Sequence, residues 1–186
     1  MEWKQWALIG AVALLILIAA RIGKEHGRDT RANRLMKKYA VLTPAVFAAI
    51  PADEQVDAVV SHVLAKTVAA RRANPIQTLA QMDHAFTVVY SVWAVCKEMA
   101  VSDFAGLMST ATKQLVEPAR EAMQSIGAPL CAQSLEAMRV AHTAGEAYDE
   151  AQQAFRVAVS QECPLSLCEQ YIAGHAPLFT GEDAPT

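Results

Sequence analysis

The chain has no HExxH pair, no glycine-rich phosphate loop and no nucleophile elbow. Zinc-peptidase, P-loop nucleotide and α/β-hydrolase chemistry therefore lack their usual signatures. The four cysteines, Cys96, Cys131, Cys163 and Cys168, form no CxxC pair and no zinc pattern, so they read as reduced structural thiols rather than metal ligands. No segment alternates strictly between apolar and polar residues, which argues against sheets. There is no internal repeat and no low-complexity tract, and the apolar N-terminal run holds no GxxxG packing motif, which removes solenoids and, for that run, the best-known helix-pairing signal.

What is present is an apolar, alanine-rich chain of 186 residues with 53% hydrophobic residues, somewhat above the roughly 45–50% of soluble domains. Its net charge of −3 conceals a split. Residues 1–40 hold eight Lys/Arg against three Asp/Glu, a net +5. Residues 41–186 hold eight against sixteen, a net −8.

Part of the apolar excess lies at the start. Gln5 to Ala20 carries no charge. Sixteen helical residues span about 24 Å, and the hydrocarbon core of a bilayer is about 30 Å. Lys4 and Arg21 can snorkel from the two ends, and Trp3 and Trp6 suit the headgroup level. Seven bases follow at once: Arg21, Lys24, Arg28, Arg31, Arg34, Lys37 and Lys38. The expectation is an uncleaved single-pass anchor over 1–22 in the inner membrane, N-terminus outside, C-terminal side in the cytoplasm. A cleaved signal peptide fits less well, because Ile18 stands where a small residue is wanted before Ala20. Residues 23–42 then form a basic juxtamembrane helix or linker, and its Lys24, Arg28 and Arg31, with Arg21 at the end of the anchor, face anionic lipid of the inner leaflet. No aromatics are interleaved with these bases, so nucleic acid is not the expected partner.

The remainder reads as an all-α multi-helix domain over 43–180 with a disordered tail over 181–186. Thr43-Pro44 and Asn74-Pro75 are cap-then-proline starts. Val56, Val60, Val63 and Thr67 share a helix face. Leu79, Met82, Phe86, Val89, Trp93 and Cys96 recur at steps of three and four, marking one long central helix. Ser102 is a cap for a short helix, Lys113 to Ile126 form another, and Gly127 suits a left-handed helix end. Pro129 opens a helix carrying Leu130, Leu135 and Met138. Tyr148, Phe155 and Val159 mark the next, and Pro164 starts the last.

Candidate chemistry is sparse. Asp83 and His84 fall inside the predicted central helix, where neighbours point about 100° apart and cannot form a pair. A catalytic role for either requires a partner from elsewhere. His142 and Glu146 are too few for a metal site. No cofactor, catalytic residue or metal ligand is predicted. Cys163 precedes a helix whose N-terminus favours a thiolate.

Asp103 to Arg139 carries Phe104, Leu107, Leu115, Pro118, Ala119, Ala122 and then Ile126-Gly127-Ala128-Pro129. This run resembles the centre of the bacterial helical domain family typified by DNA mimic protein nineteen, a family largely of unknown function. Trp93 and Glu98 before it, and Tyr171-Ile172 and Phe179 after it, fit the same pattern, so the likeness covers about residues 50–180. The family's glycine pair is Ser102-Asp103 here, and its asparagine and glycine in the following loop have no clear match in Ser109 to Lys113. The resemblance implies an all-α fold without cofactor that acts by binding another macromolecule. Mimicry of DNA requires closely spaced surface carboxylates, for which Glu117, Glu121, Glu136, Glu146, Asp149, Glu150, Glu162 and Glu169 are the supply.

These readings converge on a membrane-anchored, non-enzymatic protein-binding or scaffold domain, with an unidentified protein partner meeting Glu146, Asp149 and Glu150. The alternatives are an immunity-type or DNA-mimic inhibitor that blocks another protein, and an enzyme using Asp83 and His84. The oligomeric state is left open by the sequence.

Overall fold

Proline begins three of the helices, at Pro44, Pro129 and Pro164, where its missing N–H costs nothing and its fixed φ is already helical. In the computed structural model, which describes residues 31–181, the chain runs through α1 (residues 31–38), α2 (Pro44–Ala48), α3 (Gln55–Ala69), α4 (Ile76–Leu79), α5 (His84–Val101), α6 (Phe104–Ser109), α7 (Val116–Ser125), α8 (Pro129–Ala144), α9 (Asp149–Glu162) and α10 (Pro164–Gly174). Short 3-10 turns lie at Ala52–Glu54, Ala111–Leu115 and Ala176–Phe179. The described residues contain no strand. The protein is all-helical, as its apolar periodicity predicts.

Helix α5 is the centre. It packs against α3 on one side and α7 on another, α7 leads to α8, α8 pairs with α9, and α10 returns to α3 and α5. Phe86, Val89, Val92 and Val95 of α5 are fully buried, as are Ala119 and Met123 of α7 and Leu135 and Met138 of α8. Phe179 closes one end of this core. Its ring lies 5.1 Å from Phe86, edge to face, and 6.0 Å from Phe47. The last described turn is thereby tied to α2 and α5.

Several predicted positions shift. The long central helix is broken: α4 ends at Leu79, and α5 starts afresh at His84. The cause is Asp83, whose carboxylate accepts the Ala85 N–H at 2.8 Å as an N-cap. Asp83 is therefore outside the helix rather than in its middle. Similarly, Asp103 rather than Ser102 caps α6, accepting from Gly106 N–H at 2.7 Å. Of the three apolar residues noted on the helix that Pro129 opens, Leu135 and Met138 are buried and Leu130 is 45% exposed. Thr43 caps α2 as predicted. Gly127 (φ +91°) and Gly145 (φ +73°) end α7 and α8 in the left-handed region, where a Cβ is strained.

The membrane assignment requires correction. Among the described residues no helix is long and apolar enough to cross a membrane, so a single-pass inner-membrane architecture is not supported. The proposed anchor, 1–22, lies outside the described residues, with Trp3, Lys4, Trp6 and Arg21; so do Lys24, Arg28 and tail residues 182–186. Arg31 begins the described part; the Tyr39 hydroxyl and the Lys38 ammonium hold the Glu54 carboxyl below its usual range, with a smaller effect from the Arg31 charge. The segment read as a linker also joins the bundle. Tyr39 and Leu42 are buried, the Tyr39 hydroxyl donates to Glu54 at 2.7 Å, and the Tyr39 carbonyl lies 3.1 Å from His62 Nδ1.

Candidate functional site

Helix α9 is held from one side. It pairs with α8, and two of its side chains cap neighbouring helices. Gln152 Oε1 accepts the Phe104 N–H that opens α6, at 2.9 Å. The Glu162 carboxylate accepts the first N–H groups of α8, from Leu130 and Cys131, both at 2.8 Å. Such bonds satisfy donors that a helix start otherwise leaves orphaned. Toward α5, in contrast, α9 leaves a hollow.

That hollow is a groove formed by two adjoining depressions of about 480 and 450 Å³. Cys96, Ala100 and Val159 line both, so the two are continuous. Trp93 of α5, Val56 of α3 and Leu165 of α10 complete one end; Met99, Val101 and Phe155 form the other. Val101 is 75% exposed and Leu165 40% exposed, so the lips are apolar and open. The rim charges are unequal. Asp53, Asp57 and Glu169 with Lys97 surround the first end, and Arg156 stands at the second. A concave apolar surface with a few polar groups at its edge is the usual form of a binding site.

The thiols at the groove are mostly inert. Burial pushes the Cys96 thiol up to about 12, so it stays protonated and non-nucleophilic at neutral pH. Burial likewise lifts Cys168 to about 12, and it raises Cys131, with the Glu162 carboxylate adding to the effect. Only Cys163 of the four is exposed. It sits at the start of α10, as predicted, in a left-handed conformation with φ +48°.

The candidate enzyme residues do not assemble. Asp83 caps α5, and His84 is the exposed first residue of that helix. His142 packs edge-on against Phe104 at 5.7 Å and Tyr148 at 5.9 Å. Phe104 follows the C-terminal end of α5, and eighteen helical residues separate the two places by about 27 Å. His62 is buried against Phe86. Among the described residues no three metal-ligating side chains are gathered in one place.

The acidic residues divide into employed and peripheral ones. Glu117 and Glu136 bind Arg120 and Arg139 in a network across α7 and α8, with Glu121 3.7 Å from Arg120. Glu162 caps α8. Glu146, Asp149 and Glu150 are exposed at the turn between α8 and α9. Asp149 and Glu150 occupy the first turn of α9, where negative charge favours the helix dipole. They lie at the opposite end of α9 from Val159 and Cys163.

Sequence reasoning placed Trp93 and Cys96 on the apolar stripe of α5 without seeing that they line a groove. The signal was in α5 itself. Val88, Val92 and Ala100 extend its apolar surface beyond that stripe, so one neighbour cannot cover it. No protein family, curated protein or solved structure matches the chain.

Proposed function

We propose that this chain is a non-enzymatic binding domain that holds an apolar or amphipathic polypeptide segment in the groove between α5, α9 and α10. The observation that carries this reading is the hollow beside α5, lined by Trp93, Cys96 and Ala100 on one side and Val159 on the other. Recognition of this kind lays an apolar helix face into a hydrophobic groove and reads anchors at helical spacing. The rim sets polarity. A basic end of the bound segment suits Asp53, Asp57 and Glu169, and an acidic end suits Arg156.

The test is co-purification of the full-length native chain beside Ala100→Arg, which places a cation on the groove floor. A protein retained stoichiometrically by the native chain and lost from the variant, with helicity by circular dichroism unchanged, supports the reading. Equal retention by both chains rejects it.

A further inference from the structure

We infer that the face formed by α1 and the end of α3 docks on an anionic lipid surface, lying on the headgroup layer without crossing it. Its charge stands apart from the rest of the domain. Residues 31–40 carry four Lys/Arg and residues 61–72 carry three, with no Asp or Glu in either stretch. Residues 73–186 hold five Lys/Arg against thirteen Asp/Glu. The fold brings the two basic stretches together. The Tyr39 carbonyl lies 3.1 Å from His62 Nδ1, and α1 and α3 wall a shared hollow of about 380 Å³. Asn33, Met36 and Lys37 of α1 line it with Ala65, Val68 and Ala69 of α3. None of these residues lines the groove beside α5, so the face is a separate surface, at the other end of α3 from Asp57.

The patch is apolar at its centre and basic around it. Val68 is 67% exposed, and Val41, just after α1, is 50% exposed. Lys37 stands in the lining, Arg34 lies about one helical turn before it, and Lys66 and Arg71 bracket Val68 along the chain. Lys38 pairs with Glu54 at 3.1 Å, and Arg72 donates to the Gln77 carbonyl at 2.8 Å, so those two are committed within the fold. Phosphates with an apolar layer beneath them fit both features at once. Bases near an anionic leaflet each add to binding. Long Lys and Arg stems cover apolar surface while their heads reach phosphate, and exposed apolar side chains enter the boundary between headgroups and acyl chains. A nucleic acid matches the charge but not the apolar patch. The rings of these two stretches, Tyr39 and His62, are buried and offer nothing for nucleotides to stack on.

The experiment places a photo-cross-linking residue at Val68 of the full-length chain and, as a control, at Val140 on α8, 53% exposed. Each chain meets vesicles of phosphatidylcholine alone or of phosphatidylcholine with phosphatidylglycerol, with and without added polyglutamate. Lipid adducts are counted per bound chain by mass spectrometry. The expected result is a phospholipid adduct from Val68 on the anionic vesicles, lost on the neutral ones, and none from Val140. Lys37→Gln and Arg71→Gln, both at exposed positions, are each expected to lower that yield about fivefold. Equal yields from Val68 on the two kinds of vesicle overturn the proposal, because contact then owes nothing to charge. Equal yields from Val68 and Val140 also overturn it, because no face is then selected. An adduct that moves from lipid to polyglutamate overturns it in favour of an acidic polypeptide. No lipid adduct from Val68 on either vesicle overturns it outright.

Discussion

Helix α5 presents two flanks of similar composition and opposite fate. Toward α3 and α7, valine and phenylalanine side chains are sealed from water: Phe86, Val89 and Val95 have no exposed surface. Toward α9, Trp93, Cys96 and Ala100 meet a hollow. The difference lies in the neighbours. Helices α3 and α7 press directly on α5, whereas α9 leans on α8 and is pinned by Gln152 and Glu162 to the starts of α6 and α8. An apolar surface therefore stays open because the helix that faces it is held from behind. The sealed flank supplies stability, and the open flank is the surface on which the proposed binding rests.

The largest expected effect breaks the sealed flank. Phe86→Ala removes a fully buried ring in contact with Phe179 and His62 and should cost about 3–5 kcal/mol in denaturant unfolding. Trp93→Ala on the open flank should cost less than half as much. Its main effect should be on partner affinity, about 2 kcal/mol or roughly thirtyfold by titration calorimetry, as for a central aromatic anchor. Equal stability losses at the two positions would remove the distinction between the flanks.

A smaller effect sharpens the reason for the difference. Glu162→Ala deprives Leu130 and Cys131 of their cap and should destabilise the fold by about 1–2 kcal/mol. Burial pushes the Glu162 carboxyl up, but the Cys131 and Leu130 N–H groups and the Cys131 thiol outweigh it and hold the pKa below the ordinary 4.5. A carboxyl depressed in the folded state contributes stability that is present above its unfolded pKa and lost as pH falls through the folded value. Glu162→Gln should therefore flatten the acid side of the stability profile below about pH 4.5 and change little of its slope above. Smallest of all, Cys163→Gly should raise stability by about 0.5 kcal/mol, because glycine accepts the φ of +48° without strain.

Much of the fold is legible in the sequence where the signal is local. Thr43-Pro44, Gly127 and Pro129 mark boundaries that the structure keeps. Asp83 shows how a local signal is overridden: a stripe from Leu79 to Cys96 continues across it in register, so the break appears only when its carboxylate is seen capping Ala85. The caps from Gln152 and Glu162 bridge 48 and 32 residues, which no local pattern encodes. The groove depends on those caps and is hidden for the same reason. Periodicity identifies an apolar face but not which neighbour covers it. The apolar run at 5–20 reads as a bilayer span on hydropathy alone, and it lies outside the described residues.

The most direct test of the open flank is hydrogen exchange of the full-length chain, alone and with the partner it retains. Slower exchange confined to residues 93–101 of α5 and 156–166 around the α9–α10 junction is the predicted result. Protection appearing instead at 146–150, or along α7 and α8, with 93–101 unchanged, would contradict it.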